Sequence, residues 1–194
     1  CFNPINIQQI CINICDTCRI DSSADIPAGR RISHKDIEVA LGRFALQYQI
    51  FDQIIELAER AGGKDAAEKK YKVGGVNLNV YQLVFATLCS RGAVNAAGIL
   101  QKTVRDKIRT LIREPSWSIS NLGDIMKRLG DAEVGIQFAR VNANPKGTSH
   151  PLLYDGKKLF VVNPMLKVYL LWGYLRGLGL DTDAILDSNG DGAQ

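Results

Sequence analysis

Residues 79–90 read Asn-Val-Tyr-Gln-Leu-Val-Phe-Ala-Thr-Leu-Cys-Ser, and this apolar stretch decides the predicted fold. Asn79 is of the residue type that caps a helix N-terminus, because its side-chain oxygen accepts a hydrogen bond from a free backbone N–H group. Apolar residues follow at helical spacing, and Gly92 is a typical helix end. The pattern predicts a helix from Asn79 to near Gly92, with Tyr81 and Phe85 filling the core.

Helical patterns also occupy the chain on the N-terminal side of this stretch. Ser33 and Asp36 form an N-cap signal, and apolar residues at helical spacing continue to the glycine pair Gly62-Gly63. A short charged helix is predicted over residues 64–72, and the pair Gly74-Gly75 ends it.

Three more helices are predicted on the C-terminal side. The first covers residues 95–113 and stops before a proline, the second opens at Ser118 or Ser120, and the third covers residues 164–179. Residues 142–157 are rich in Asn, Pro, Gly and Ser, so we expect a loop there.

The composition agrees with one globular domain. The chain has 194 residues, of which 46% are hydrophobic and 23% are charged, as in average globular proteins. No stretch approaches the roughly 18 uncharged apolar residues that a transmembrane helix needs. Residues 33–180 are therefore expected to form an all-α fold, a single globular helical domain of six to eight helices.

Residues 1–32 differ from this helical body. Isoleucines alternate there with Asn, Gln and Cys at the period of an extended strand, and residues 21–29 have the composition of a linker. We expect an extended N-terminal arm that contacts a neighbouring subunit, with a frayed terminus as the alternative. The contact residues would be Ile5, Ile7, Ile10, Ile12 and Ile14. Residues 181–194, with four Asp and no basic residue, are predicted to be a flexible acidic tail.

Positive charge is concentrated in the middle of the chain. Residues 64–113 hold ten basic and three acidic residues, although the net charge of the whole chain is only +4. At about 100° per residue, four cations of the predicted helix 95–113 fall on one side: Lys102, Arg105, Arg109 and Arg113. Further cations precede them: Lys64, Lys69, Lys70, Lys72 and Arg91. Such a stripe is typical of a helix that binds phosphates, and an ordinary solvated helix face is the alternative.

Other candidate chemistry is weaker. Four aromatic residues of the same region are candidates for stacking on bases: Tyr71, Tyr81, Phe85 and Trp117. Cys15 and Cys18 have the spacing of a zinc pair, but no second pair exists, so we expect free thiols, no metal and no cofactor. The two histidines, His34 and His150, lie in no nucleophile motif, and the chain is predicted not to be an enzyme.

Several segments resemble the nucleocapsid proteins of phleboviruses and tenuiviruses. The similar segments are residues 54–57, 62–63, 83–92, 175–180 and 187–190. In that family an Arg-Gly element opens a basic stretch in the RNA groove, so the resemblance implies that Arg91 contacts phosphate.

A second resemblance is to the coat proteins of flexuous filamentous plant viruses of the potyvirus type. It rests on residues 125–132, 140–143 and 151–153. Ser90, which follows an apolar helix, matches that family's RNA-contacting serine. Both families have α-helical RNA-coating folds whose terminal arms link subunits, so both resemblances imply the same function.

Together these observations predict a viral nucleocapsid or coat protein that polymerises helically along single-stranded RNA, in the virion and the host cytoplasm. The expected partners are RNA and neighbouring copies of the chain, without a membrane. The predicted RNA-binding residues are Ser90, Arg91, Lys102, Arg105, Arg109, Arg113, Lys127 and Arg128. The alternatives are a self-assembling scaffold protein without nucleic acid and a filament protein that coats double-stranded DNA.

Overall fold

The described part of the chain contains both helices and sheets. The computed structural model describes residues 4–20, 31–46, 51–52, 55–56, 69–90, 97–130, 151–163, 165–181, 183 and 185. The helices are α1 (Pro4–Cys18), α2 (His34–Leu46), α3 (Val80–Cys89), α4 (Gln101–Ile112), α5 (Leu122–Leu129) and α6 (Met165–Val168), which a π-helical segment (Tyr169–Leu175) continues. The strands are β1 (Tyr71–Val73), β2 (Val76–Leu78), β3 (Ile99–Leu100), β4 (Leu152–Tyr154) and β5 (Lys158–Val161). The prediction of an all-α fold is therefore wrong, and the fold is mixed α/β.

The N-terminal segment is helical, so the prediction of an extended arm is also wrong. Residues 4–18 form α1, which packs against α2, and the Arg43 guanidinium donates a hydrogen bond to the Thr17 hydroxyl at 3.4 Å. Ile7, Ile10 and Ile14 are also spaced as on one face of a helix, so the sequence of this segment fits both a strand and a helix. A helix satisfies its own backbone hydrogen bonds, whereas a lone strand needs a neighbouring strand.

The hairpin β1–β2 replaces the predicted end of a charged helix. Gly74 and Gly75 form its two-residue turn with φ of 55° and 90°, and positive φ at both turn positions matches the right-handed twist of the strands. Tyr71 pairs with Leu78 and Val73 with Val76. The part of that predicted helix before residue 69 lies outside the described residues.

The predicted helix capped by Asn79 is present as α3, and nine of its ten residues are buried. Asn79 caps it, and a capping box completes the N-terminus: the Asn79 side chain accepts from the Gln82 N–H at 2.9 Å, and the Gln82 side chain accepts from the Asn79 N–H at 2.8 Å. The helix packs against α4 and the π-helical segment, where the Phe85 and Tyr174 rings meet edge to face with centroids 6.2 Å apart. The predicted N-cap of α2 is confirmed too, because the Ser33 hydroxyl accepts from the Asp36 N–H at 3.2 Å.

The second sheet has the strand order β3-β5-β4 and is antiparallel. Ile99 pairs with Leu159, and Leu152 pairs with Val161. Strand β4 lies within residues 142–157, which were predicted to be a loop, and α4 begins at Gln101 instead of near residue 95. These strands have two to four residues, which is too short for an alternating pattern to identify them.

Two contacts complete the core. Gly130 ends α5 against β4, and a Cβ at that position would lie 2.9 Å from the Leu153 carbonyl carbon, so a side chain has no room there. Tyr169 donates a hydrogen bond to the Asp52 carboxylate, and its ring lies 5.4 Å from that of Phe51. The final helix ends just before Gly179, close to the predicted end, and the φ of 88° at Gly179 is typical of a glycine after a helix C-terminus.

None of the helices in the described ranges has both the length and the apolar composition needed to cross a membrane. Most of the predicted acidic tail lies outside the described residues.

Candidate nucleic-acid interface

The helix α4 places the predicted basic stripe on the surface. It buries Val104 and Ile108, and its other residues are exposed or half-buried. Lys102 and Arg113 are exposed, while Arg105 and Arg109 are half-buried. Lys102, Arg105 and Arg109 thus lie within α4, and Arg113 follows it as the left-handed C-cap residue, with φ of 55°.

Arg109 has a structural contact as well as a surface position. Its Nε donates to the Trp117 carbonyl at 2.8 Å, which fixes the turn after α4 against the helix. Its Nη1 lies 3.4 Å from the Asp106 carboxylate, an exposed i, i+3 pair that contributes little to stability. Among the described residues, Lys102, Arg105 and Arg113 form no ion pair, so three of the four cations of the stripe lack an acidic partner there.

The hairpin β1–β2 brings one more cation to this side of the molecule. The Tyr71 ring meets the Trp117 ring edge to face at 5.9 Å, and the Lys69 ammonium lies 5.7 Å from the centroid of the Tyr71 ring. Side chains alternate along a strand, so Lys72 points to the other side of the hairpin from Tyr71. We call the resulting surface the basic face: Lys69, Lys102, Arg105, Arg109 and Arg113. Lys69 was not among the predicted RNA-binding residues, although the run of lysines was visible in the sequence.

The other predicted RNA-binding residues lie on other elements or outside the described residues. Ser90 is fully buried and its hydroxyl donates to the Thr87 carbonyl at 2.8 Å, so it is not presented to solvent. Lys127 and Arg128 are exposed in the last turn of α5, where the Arg128 guanidinium reaches the Tyr81 hydroxyl at 3.4 Å. Arg91 lies outside the described residues.

The aromatic residues are mostly unavailable for stacking on bases. Tyr81 and Phe85 are fully buried, which confirms their predicted place in the core, and Trp117 is 3% exposed. Tyr71 is half-buried. The basic face therefore offers charge and hydrogen-bond donors more than open aromatic rings.

The thiols show no arrangement for metal binding. Cys11, Cys15 and Cys18 lie on α1 and form no disulfide, and no group of three or more potential ligands in the described ranges could hold a metal ion. Burial raises the pKa of the Cys89 thiol to about 12, although nearby Lys167 acts in the opposite direction. Burial and the same Lys167 lower the pKa of Lys107, on a different side of α4 from the basic stripe.

No protein-family profile, no curated protein and no solved structure matches this chain.

Proposed function

We propose that this protein coats single-stranded RNA through the basic face, as a nucleocapsid or coat protein that acts in the virion and the host cytoplasm. The observation that carries the proposal is the excess of positive charge on α4. Three cations lie within this helix and Arg113 is its C-cap, and Asp106 is the one acidic residue in the described part of the chain that pairs with any of them. A surface that served only solubility would mix both signs of charge.

The geometry favours contacts with the RNA backbone. At 1.5 Å per residue, the stripe from Lys102 to Arg113 is about 16 Å long, which matches about five stacked nucleotides at 3.4 Å each. Lysine and arginine side chains on a convex helix reach phosphates, and phosphate contacts carry no sequence information. Such binding suits a protein that must cover a whole genome.

Self-assembly is part of the proposal and rests on the isoleucine-rich segment, now as a helix. Ile7 and Ile12 on α1 are 49% and 44% exposed, whereas Ile10 packs against the core and Ile14 is half-buried. Of Ile5, no side-chain position is described. We place the contact with neighbouring copies on these exposed isoleucines, because burying a large apolar side chain that is exposed to water favours association.

Salt titration of RNA binding tests the basic face. If its five cations each neutralise one phosphate, log K should fall with log salt at a slope of about −3.5, at about −0.7 per phosphate for single strands. The double variant Lys102→Gln, Arg113→Gln should reduce the slope to about −2.1. Both residues are exposed, so the fold should be retained. The matched control is Lys157→Gln, an exposed lysine in the β4–β5 turn, which should leave the slope unchanged.

Two results would reject the proposal. A flat salt response would show that the protein does not bind RNA through phosphate contacts. A change in slope with Lys157→Gln as large as that with the double variant would show general charge attraction and not binding at the basic face.

The ratio of absorbance at 260 and 280 nm of purified particles separates the alternatives. A protein-like ratio in an assembled particle would indicate a scaffold, and preference for duplex over single strands in competition would indicate a DNA-coating protein.

A further inference from the structure

Ser116 lies in the exposed turn that follows α4, beside the basic face. The turn covers residues 114–117, and the Trp117 N–H donates to the Glu114 carbonyl at 3.0 Å. Pro115 occupies the second position, where the fixed φ of proline favours a turn. Ser116 follows at the third position, and it is exposed. Its hydroxyl forms no hydrogen bond within the described part of the chain, so it is accessible to a modifying enzyme.

The residues before Ser116 form a pattern that protein kinases recognise. Arg113 lies three residues before Ser116 and is exposed. Many protein kinases have an acidic substrate groove and select serines with arginine at this position, so charge determines which hydroxyl they modify. Ser118 and Ser120 are also exposed, but neither has a basic residue three positions earlier. Ser33 does follow basic residues, but its hydroxyl already caps α2.

A phosphate on Ser116 would lie close to two cations of the basic face. Arg109 Nε donates at 2.8 Å to the carbonyl of Trp117, so its guanidinium lies beside the residue that follows Ser116. Arg113 directly precedes the turn. Phosphoserine carries a charge of about −1.5 to −2 at neutral pH and three strong acceptor oxygens, which guanidinium groups bind well. Such a phosphate would therefore occupy the same donors that RNA phosphates use.

We propose that Ser116 is a phosphorylation site and that its phosphate weakens RNA binding by occupying Arg109 and Arg113. A protein kinase transfers the γ-phosphoryl group of ATP. The bond between Ser116 Oγ and the γ-phosphorus forms, the bond from that phosphorus to the β,γ-bridging oxygen breaks, ADP leaves, and the hydroxyl proton passes to the catalytic aspartate of the kinase. This inference rests on the proposed function and deepens it, because it names how binding at the basic face is regulated.

The first measurement tests whether Ser116 is a kinase substrate in the folded chain. The full chain is incubated with ATP, Mg²⁺ and a calmodulin-dependent protein kinase, which selects arginine three residues before serine, and phosphopeptides are identified by mass spectrometry. We expect phosphate on Ser116, and about tenfold less of it in Arg113→Gln, which loses a charge-assisted contact with the kinase. Absence of phosphate at this position, or equal incorporation in Arg113→Gln, would overturn the proposed site.

The second measurement tests the effect of the phosphate on RNA binding. Phosphoserine is incorporated at position 116 during synthesis, and binding of oligo(U) is followed by fluorescence anisotropy as salt is varied. If the phosphate occupies two of the five cations, the slope of log K against log salt should change from about −3.5 to about −2.1. At about 0.1 M salt this makes binding about 25-fold weaker. Phosphoserine at position 33 is the matched control, since it adds the same charge on α2 and should leave the slope unchanged.

Two substitutions separate charge from the shape of the side chain. Ser116→Asp adds one negative charge and should change the slope to about −2.8, whereas the uncharged Ser116→Asn should keep the wild-type value. Ser116 is exposed and its hydroxyl has no partner in the described ranges, so both variants should fold.

The outcomes also separate this inference from the proposed function. An unchanged slope with phosphoserine at position 116, or an equal loss with phosphoserine at position 33, would overturn the regulation while leaving RNA binding intact. Failure of the unmodified chain to bind oligo(U) would overturn the proposed function itself.

Discussion

Helices α3 and α4 pack against each other and have similar lengths, but they bury very different fractions of their residues. Nine of the ten residues of α3 are buried, whereas α4 buries two of its twelve. A capping box closes the N-terminus of α3, while Leu100 at the N-cap of α4 makes no side-chain capping bond. Helix α3 is thus packed against the core on nearly every side, whereas α4 buries only Val104 and Ile108.

The difference shows which residues the fold requires. Side chains of α3 such as Phe85 have no freedom to change, because every side of the helix meets the core. Lys102 and Arg113 are exposed, so packing does not explain their residue type, whereas Arg109 also binds the Trp117 carbonyl. The exposed cations, which packing does not require, are the reason for choosing α4 as the candidate interface.

The largest expected contrast between the two helices is in thiol reactivity. Burial raises the pKa of Cys89, at the end of α3, to about 12 from the ordinary 9.0. Alkylation requires the thiolate, so near neutral pH Cys89 should react on the order of 1000-fold more slowly than an exposed thiol. Thr103→Cys supplies such a thiol on α4, because Thr103 is exposed. Alkylation rates are measured peptide by peptide with mass spectrometry, and similar rates at the two positions would show that α3 is not enclosed.

The next largest contrast is in stability. Phe85→Ala removes a fully buried ring that contacts Tyr174, so the free energy of unfolding should fall by about 3–5 kcal/mol. Lys102→Ala on α4 should change it by less than about 0.5 kcal/mol. Urea unfolding of both variants checks the difference. Comparable losses would mean that α4 contributes to the core as much as α3 does.

The sequence predicted the elements whose signals are local. Asn79 and Ser33 marked helix starts correctly, because a capping residue acts within one helical turn. The strands were missed because each has only two to four residues, and β3 in addition has a distant partner, since Ile99 pairs with Leu159. The N-terminal segment was assigned to a strand because its period-2 alternation was more regular than its helical pattern, and only packing against α2 decides between them.

As with the fold, the sequence predicted the part of the candidate interface that lies within one helix. The stripe on α4 follows from spacing along one helix, so the sequence predicted those cations together. The contact between Arg109 and the Trp117 carbonyl depends on how the chain turns after α4, which no local pattern encodes. Ser90 was selected by resemblance, and its burial follows from the position of α3 in the core.

The smallest expected effect concerns the missing cap of α4. Leu100 is 46% exposed and occupies the N-cap with an extended backbone, φ of −72° and ψ of 148°, in which a serine hydroxyl can accept from a free N–H of the first turn. Leu100→Ser should therefore raise the free energy of unfolding by about 0.5 kcal/mol. Its salt slope for RNA binding should equal that of the wild type, since no cation of the basic face changes. A loss of stability would instead show that the Leu100 side chain stabilises strand β3 more than a cap stabilises α4. The attachment of α4 to the core would then be closer to that of α3 than the burial of the two helices indicates.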